Sequence, residues 1–196
     1  MKAPGTSVLG YALLGLIHQK SSSGYDLRKI FAETAMGSFS SSPGAIYPAL
    51  ERLLNRGLIE GKVEEGSGLR RRRIYRITRS GSEELKQWLS QPVTRDEILR
   101  GMAELMLRFA FTEQALGAGE AINFLRKLRV ELEAYVPSLR QYLRHNGARM
   151  PLSGMLALDS GVRNYETLQR WVEYAIETYQ TSLAIKNRLP KKSKKH

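Results

Sequence analysis

A serine-rich turn and a short amphipathic helix occupy residues 40–57, SSSPGAIYPALERLLNRG. Ile46 and Leu50, with further leucines one turn on, recur at helical spacing and predict the buried face of a helix. Gly57 stands where glycine is favoured, just beyond a helix C-terminus. The pattern therefore predicts a helix over about residues 43–56, with one face left free.

Pro48 conflicts with a regular helix, because a proline in a helix interior removes a backbone hydrogen bond and clashes with the preceding turn. The conflict is reduced if Gly44 caps the helix, since Pro48 then lies near its start. We therefore expect the loss of one hydrogen bond rather than a broken helix.

A basic β-ribbon is predicted immediately after this helix, from strands at residues 58–64 and 70–78. The turn EGSGL at residues 65–69 contains two glycines, as hairpin turns often do. Tyr75 and Ile77 share one face of the second strand and are expected to pack inward. A helix followed directly by such a ribbon is typical of a winged helix-turn-helix.

Two helices are predicted before the serine turn and one after the ribbon. The first covers residues 6–19 and has a threonine and a serine available as caps. The second covers residues 24–36, with Tyr25 on its apolar face. The helix after the ribbon is the fourth in the chain and begins near Thr78. Residues 1–92 are therefore predicted to form a winged helix-turn-helix domain.

The second half of the chain is predicted to be entirely helical, so the fold class is mainly α with a small β-ribbon. Its middle helix carries apolar residues at alternating intervals of four and three, which is typical of a coiled-coil seam. Pro137 lies off this seam and is expected to kink the helix rather than end it. The apolar stripes are either ordinary core or, since few elements remain to cover them, a dimer interface. The predicted interface residues are Ala121, Leu125, Leu128, Leu132, Tyr135, Leu139, Leu168, Val172 and Tyr179.

The domain organisation follows from these patterns. Residues 93–189 are predicted to form a helical dimerisation domain, and residues 190–196 a basic disordered tail. The hydrophobic share of 42% is enough for a packed core, and the absence of cysteine excludes disulfides and thiolate metal sites. No apolar run is long enough to span a membrane, so no membrane partner is expected.

The charge of the chain points to a polyanionic partner. The net charge is +12, from 31 basic and 19 acidic residues, which favours nucleic acid over an anionic membrane. Four consecutive arginines, residues 70–73, concentrate this charge inside a predicted strand. The chain has neither a phosphate-binding glycine loop nor a G-x-S-x-G or zinc-ligand pattern, so we expect neither an enzyme nor a cofactor.

Three motifs in this order resemble the PadR family of bacterial transcriptional regulators: GYDLRKIF at residues 24–31, SSSPGAIYPALERLLNRGLIEG at residues 40–61, and RIYRITRSGSEEL at residues 73–85. The segment from residue 94 resembles the helical C-terminal domain of the longer members. The resemblance implies a cytoplasmic, nucleoid-associated homodimer that binds a palindromic double-stranded DNA operator, usually as a repressor. It also implies a small hydrophobic or phenolic effector.

Predicted DNA contacts lie at the serine turn, on the exposed face of the third helix and on the ribbon. Tyr47 either contacts DNA or packs its ring against the second helix, and Arg52 either reaches a phosphate or pairs with a nearby acid. Because facing alternates along a strand, Arg71 and Arg73 are favoured together with Lys62 across the ribbon. The predicted contacts are Ser40, Ser41, Ser42, Gly44, Tyr47, Arg52, Lys62, Arg70, Arg71 and Arg73.

Two hypotheses about partners remain open at this point. An aromatic-lined effector pocket would use Trp88, Trp171 or Tyr179, although these aromatic residues are more simply explained as core. The alternative function is a winged-helix module for protein interaction in a transcription or chromosome-organising assembly. The arginines of the ribbon argue against this alternative, because a protein-facing wing does not need so much positive charge.

Overall fold

The structure, a computed structural model, describes residues 5–39, 43–65 and 71–188. It is mainly α-helical with one three-stranded antiparallel sheet, so the predicted fold class is confirmed. The helices are α1 (Val8–Gln19), α2 (Gly24–Glu33), α3 (Ile46–Asn55), α4 (Arg79–Leu89), α5 (Arg95–Arg100), α6 (Met102–Leu116), α7 (Ala118–Asn146) and α8 (Leu152–Arg188). The strands are β1 (Ser22–Ser23), β2 (Ile59–Glu65) and β3 (Arg71–Ile77).

The chain divides into two compact units. The first contains Met1–Gln91 together with Met106–Leu116, and the second contains Pro92–Leu105 and Gly117–His196. Residues of α6 therefore belong to both units. The part of α6 that belongs to the first unit, Met106–Leu116, lies beyond residue 92, where the sequence analysis placed the domain boundary.

The core of the first unit is built around α1. The Ser7 side chain accepts a hydrogen bond from the Gly10 backbone N–H and caps the helix. Ala12, Leu13 and Leu14 are fully buried, as expected for a helix that is apolar almost all round. α6 closes the core with buried Leu107 and Phe111.

A buried arginine anchors α6 in this unit. Arg108 is fully buried, and its guanidinium donates a hydrogen bond to the Gln91 carbonyl, just beyond the end of α4. The Arg108 carbonyl in turn accepts a hydrogen bond of 2.8 Å from the Thr112 hydroxyl. The sequence pattern gave no sign that an arginine would be buried on this helix.

A capping box starts α2. The Ser23 hydroxyl accepts from the Asp26 N–H, and the Asp26 carboxylate accepts from the Ser23 N–H. The prediction that Tyr25 packs in the core is wrong, because its side chain is 57% exposed on the first turn. α2 also ends earlier than predicted, at Glu33, and a 3-10 helix, Ala35–Phe39, follows.

The sheet has the strand order β1-β3-β2. β1, which the sequence analysis did not predict, pairs Ser22 with Tyr75 and lies beside the ribbon. Ile59 of β2 pairs with Ile77 of β3, and this register continues to the partner pair of Glu65 and Arg71. Tyr75 is buried in the core, so its predicted inward facing is confirmed.

The second unit packs α7 against α8. α7 continues through Pro137, as predicted. It begins after Gly117, which has a φ of 96° and interrupts the helix that the sequence pattern predicts over about residues 112–146. α8 begins at Leu152, whereas the sequence pattern predicts a start near residue 160.

The apolar seam of α7 is intrachain core. Its first four members and Val172 of α8 have exposures of 0% in a single chain, so they have no surface left for a second copy. Their assignment to a dimer interface is therefore corrected. The residues concerned are Ala121, Leu125, Leu128, Leu132 and Val172.

Candidate nucleic-acid interface

The exposed face of α3 is the first component of the candidate interface. Ile46 and Leu50 are fully buried, whereas Tyr47 and Arg52 are exposed. A 3-10 turn, Pro43–Ala45, leads into the helix without a side-chain cap. The helix ends at the predicted place, since Gly57 has a φ of 67°.

Pro48 is compatible with this helix. Ala45 is the N-cap, so Pro48 is the third helical residue. The first four backbone N–H groups of a helix have no partner within it, and the missing N–H of Pro48 is one of these. The predicted loss of one hydrogen bond is therefore wrong, and so is the assignment of Gly44 as the cap.

Tyr47 both packs and remains accessible. Its ring lies against the start of α2, where a Cβ added to Gly24 would come within 2.8 Å of the ring carbon Cε1. Its side chain nevertheless stays 45% exposed. The two alternatives for Tyr47 are thus compatible: α2 supports the ring, and part of the side chain is left free.

The register of the ribbon sorts its basic residues onto two faces. Arg73 shares a face with Tyr75, because successive residues of a strand alternate. Lys62 pairs with Ile74, so it lies on the other face together with Arg72. The prediction that Lys62 lies on the same face as Arg73 is therefore wrong.

Arg73 is folded back across the ribbon towards α3. Its Nη1 lies 3.6 Å from Oε1 of Glu51, and its guanidinium carbon lies 5.7 Å from the centre of the Tyr75 ring. A Cβ on Gly61, which pairs with Tyr75, would come within 2.5 Å of Arg73 Nε. Gly61 thus leaves the space that this conformation needs.

The titrating groups around the ribbon are perturbed in opposite directions. Burial raises the pKa of the Tyr75 phenol. The Ser23 hydroxyl, which donates to the Asp26 carboxylate at 2.6 Å, lowers the pKa of Asp26. The positive charge of Arg72 adds to this lowering.

Arg52 and Arg56 have different surroundings on the other flank of α3. Arg56 is committed to the fold, because its guanidinium bonds both Thr6 and Glu84, the latter at 2.9 Å. Arg52 is exposed and lines a cleft of about 360 Å³ beside the start of α1. Of these two arginines, Arg52 is the one available to a ligand.

The remaining predicted contacts can be placed only in part. Gly44 is exposed. Ser40, Ser41, Ser42 and Arg70 lie outside the described residues, and only the backbone of Arg71 is described.

The three aromatic residues predicted to line an effector pocket lie in different units of the chain. Trp88 is 3% exposed in the core of the first unit, where its ring stacks on Tyr11 at a centroid distance of 4.5 Å. Trp171 and Tyr179 are partly buried on α8 in the second unit. Trp88 therefore has a structural role, and its use in a pocket remains a hypothesis.

Sequence reasoning did not identify three residues at this surface. Glu51, Gly24 and Gly61 shape it through the contacts described above. A glycine inside a strand pattern signals a close approach of another group, and this signal was present at Gly61. The partner of Glu51 depends on the ribbon's tertiary position and had no such signal.

Two kinds of site are absent from the part of the chain that the structure describes. Within residues 5–39, 43–65 and 71–188, no helix is long and apolar enough to cross a membrane. The same residues contain no group of three or more histidine, aspartate or glutamate side chains that could hold a metal ion.

The fold and the surface define a winged helix-turn-helix protein of the transcription-regulator class. α3 presents a free face, and a basic ribbon approaches that face from one side. Residues 13–87 match the model of the transcriptional regulator PadR-like family, and the chain belongs to this family. The family consists of regulators, which agrees with the prediction that the chain is not an enzyme.

One relative carries the name of the family. The Negative transcriptional regulator PadR of Bacillus subtilis is 34% identical over 97 residues, which are 47% of this chain and 53% of that protein. The chain thus spans about half the length of this relative.

Two crystal structures of Bacillus subtilis PadR are also similar. The complex with operator DNA is 26% identical, has a TM-score of 0.42 and covers 88% of this chain and 99% of that chain. The complex with p-coumaric acid is 24% identical, has a TM-score of 0.40 and covers 90% of this chain and 98% of that chain. Because both TM-scores are below 0.5, the assignment of the fold rests on the helices and strands of this chain and not on these two structures.

Proposed function

We propose that the chain is a DNA-binding transcriptional repressor that acts as a homodimer on a palindromic operator. The observation that carries this proposal is the free face of α3 beside a basic ribbon, within a PadR-like segment. The net charge of +12 supports a polyanionic partner. A bacterial cytoplasm with access to the nucleoid is the compartment that this function requires.

In the proposed complex, the start of α3 enters the major groove. The partly exposed Tyr47 then lies near base edges or the sugar-phosphate backbone. Arg52, which is exposed, and Arg73, on the ribbon, would then contact phosphates. The two heads of a dimer would bind half-sites about one DNA turn apart, roughly 34–36 Å.

The outer face of α8 is the better surface for the proposed dimer, since the α7 seam is covered within the chain. Tyr174 and Ile185 are 65% and 56% exposed, and they line one shallow groove with Thr178 and Thr181. These residues follow one another at intervals of four, three and four, which is the spacing of a coiled-coil seam. Exposed apolar strips of this kind mark interaction surfaces.

A small hydrophobic or phenolic effector is part of the proposal. Its binding would lower operator affinity by favouring a dimer geometry in which the heads no longer match the half-sites. The p-coumaric acid in the Bacillus subtilis PadR crystal makes that compound a suitable first probe.

The experiment that tests this function is a binding titration with DNA from upstream of the protein's own gene. We expect a retarded complex that survives excess unrelated DNA and that p-coumaric acid or another phenolic compound weakens. Weak binding that is equal for all sequences would contradict the proposal and favour a winged-helix protein-interaction module. If calorimetric titration with phenolic and planar apolar compounds releases no heat, and none of them changes the operator affinity, the proposed effector is contradicted.

A further inference from the structure

An exposed carboxylate lies within the proposed DNA surface. Glu51 follows Tyr47 by one helical turn, on the part of α3 that the buried Ile46 and Leu50 leave free. The Glu51 side chain is 59% exposed. Because DNA phosphates repel a carboxylate, a glutamate here lowers affinity for every sequence unless it makes a contact that only some sequences offer.

Arg73 fixes the direction of this carboxylate. Its Nη1 lies 3.6 Å from Glu51 Oε1, and its guanidinium rests over the Tyr75 ring. The missing side chain of Gly61 leaves room for this path across the ribbon, since a Cβ there would lie 2.5 Å from Arg73 Nε. The glutamate is therefore held by an arginine that the ribbon itself positions.

Stability does not account for this pair. The two side chains are 59% and 46% exposed, and ion pairs at such exposure contribute little to folding. In the major groove, by contrast, a carboxylate has one well-matched base partner, because the cytosine N4 amino group is a donor that a glutamate oxygen can accept. The partial compensation of its charge by Arg73 makes the approach of Glu51 to the DNA less costly.

We infer that Glu51 is a specificity-determining residue that accepts a hydrogen bond from a cytosine N4 amino group in each half-site. Arg73 is its positioning residue. The inference rests on the proposed operator binding and adds to it the base that one residue reads. It assigns to Glu51 a role opposite to that of a phosphate contact such as Arg52, which supplies affinity without sequence preference.

The test is a selection of bound duplexes from a random-sequence library by the full-length wild-type protein and by Glu51→Ala. The wild type should enrich a two-fold symmetric motif that contains an invariant cytosine in each half. Glu51→Ala should lose the preference at that one position, on the order of tenfold or more, and keep the rest of the motif. Its affinity for unrelated DNA should rise, because a repulsive charge is gone.

Matched variants separate base reading from a general charge effect. Glu83→Ala removes another exposed carboxylate that is paired with an arginine, Arg79 at 3.0 Å, on α4. It should leave the motif unchanged. Glu51→Gln keeps an oxygen acceptor and should retain more of the cytosine preference than Glu51→Ala does. Arg73→Lys keeps the charge but loses the planar group over Tyr75. It should therefore weaken the preference for cytosine, whereas a mere phosphate contact would lower the affinity for all sequences equally.

The two proposals fail in different ways. If the wild type enriches no motif, the proposed function itself is contradicted. If the wild type enriches a motif and Glu51→Ala enriches the same motif with the same preference at every position, Glu51 does not read a base and the inference is overturned. Thermal unfolding of each variant should match the wild type, since the residues changed are exposed.

Discussion

The position of the Tyr47 ring depends on the absence of a side chain at Gly24. A Cβ at Gly24 would lie 2.8 Å from Tyr47 Cε1, whereas ordinary contact begins at 3.4 Å. In Gly24→Ala the ring must therefore retreat by about 0.6 Å or rotate outward. Because the ring is 45% exposed, it can move without displacing the core.

Stability and DNA binding should respond differently to this change. Gly24 is a helical residue without a positive φ, so alanine is tolerated and its higher helix propensity offsets the contact, leaving stability within about 1 kcal/mol. A displaced Tyr47 should cost roughly 1 kcal/mol of binding per head. With two heads on one dimer, we expect operator binding about thirtyfold weaker.

Fluorescence anisotropy with a labelled operator duplex measures the affinity, and circular dichroism on heating measures the stability. Gly119→Ala is the control, because a Cβ at this helical glycine of α7 would meet nothing within 4 Å. It should bind operator like the wild type. If Gly24→Ala also binds with wild-type affinity, the placement of Tyr47 by α2 has no part in DNA recognition.

Three further changes test other parts of the account. Gly81→Ala places a Cβ 1.9 Å from the Leu58 carbonyl oxygen, so it should lower the free energy of unfolding by about 3 kcal/mol or prevent folding, as urea titration would show. The hydrogen bonds from Ser23 that lower the pKa of Asp26 stabilise the fold at pH values above the ordinary pKa of aspartate. This stabilisation is lost as the pH falls through the pKa that Asp26 has in the folded state. Asp26→Asn should therefore lose less stability than the wild type between about pH 5 and pH 3, and equal losses in thermal melts would contradict this origin. Tyr174→Lys puts a charge on the outer face of α8, so sedimentation should show a monomer with unchanged helicity, and an intact dimer would place the interface elsewhere.

Local chemistry in the sequence was sufficient to predict several helix ends. Ser7 precedes the first residue of α1, because its hydroxyl can cap a backbone N–H group. Gly57 follows the end of α3, because glycine readily adopts a positive φ. Thr78 starts α4 for the same reason as Ser7, since its hydroxyl accepts from the Gly81 N–H. α7 continues through Pro137 because neighbouring turns of a long helix hold the chain on both sides.

Properties that depend on tertiary packing could not be predicted in the same way. The two residues of β1 are too few to give a periodic pattern, and Tyr25 is exposed although its spacing matched an apolar stripe. The α7 seam has the spacing of a coiled coil, but spacing does not reveal whether the covering helix belongs to the same chain. α8 provides that cover here, so the seam is core.

The candidate site shows the same division. The motifs located α3 and the basic ribbon, but the facing of individual residues depends on the register, and a shift of one residue reverses it. Lys62 was wrongly placed on the same face as Arg73 for this reason. The approach of Arg73 to Glu51 depends on how the ribbon lies against α3, which no pattern within either segment encodes.

The central claim is that two copies of this chain read a symmetric DNA site with α3 of each copy. Hydroxyl-radical footprinting of the protein on a fragment obtained by genomic selection tests it most directly. We expect two protected patches on one face of the duplex, about 10 base pairs apart or a multiple of this, each losing protection in Arg52→Ala and Arg73→Ala. Uniform protection without a preferred position, or a single patch bound by a monomer, would contradict it.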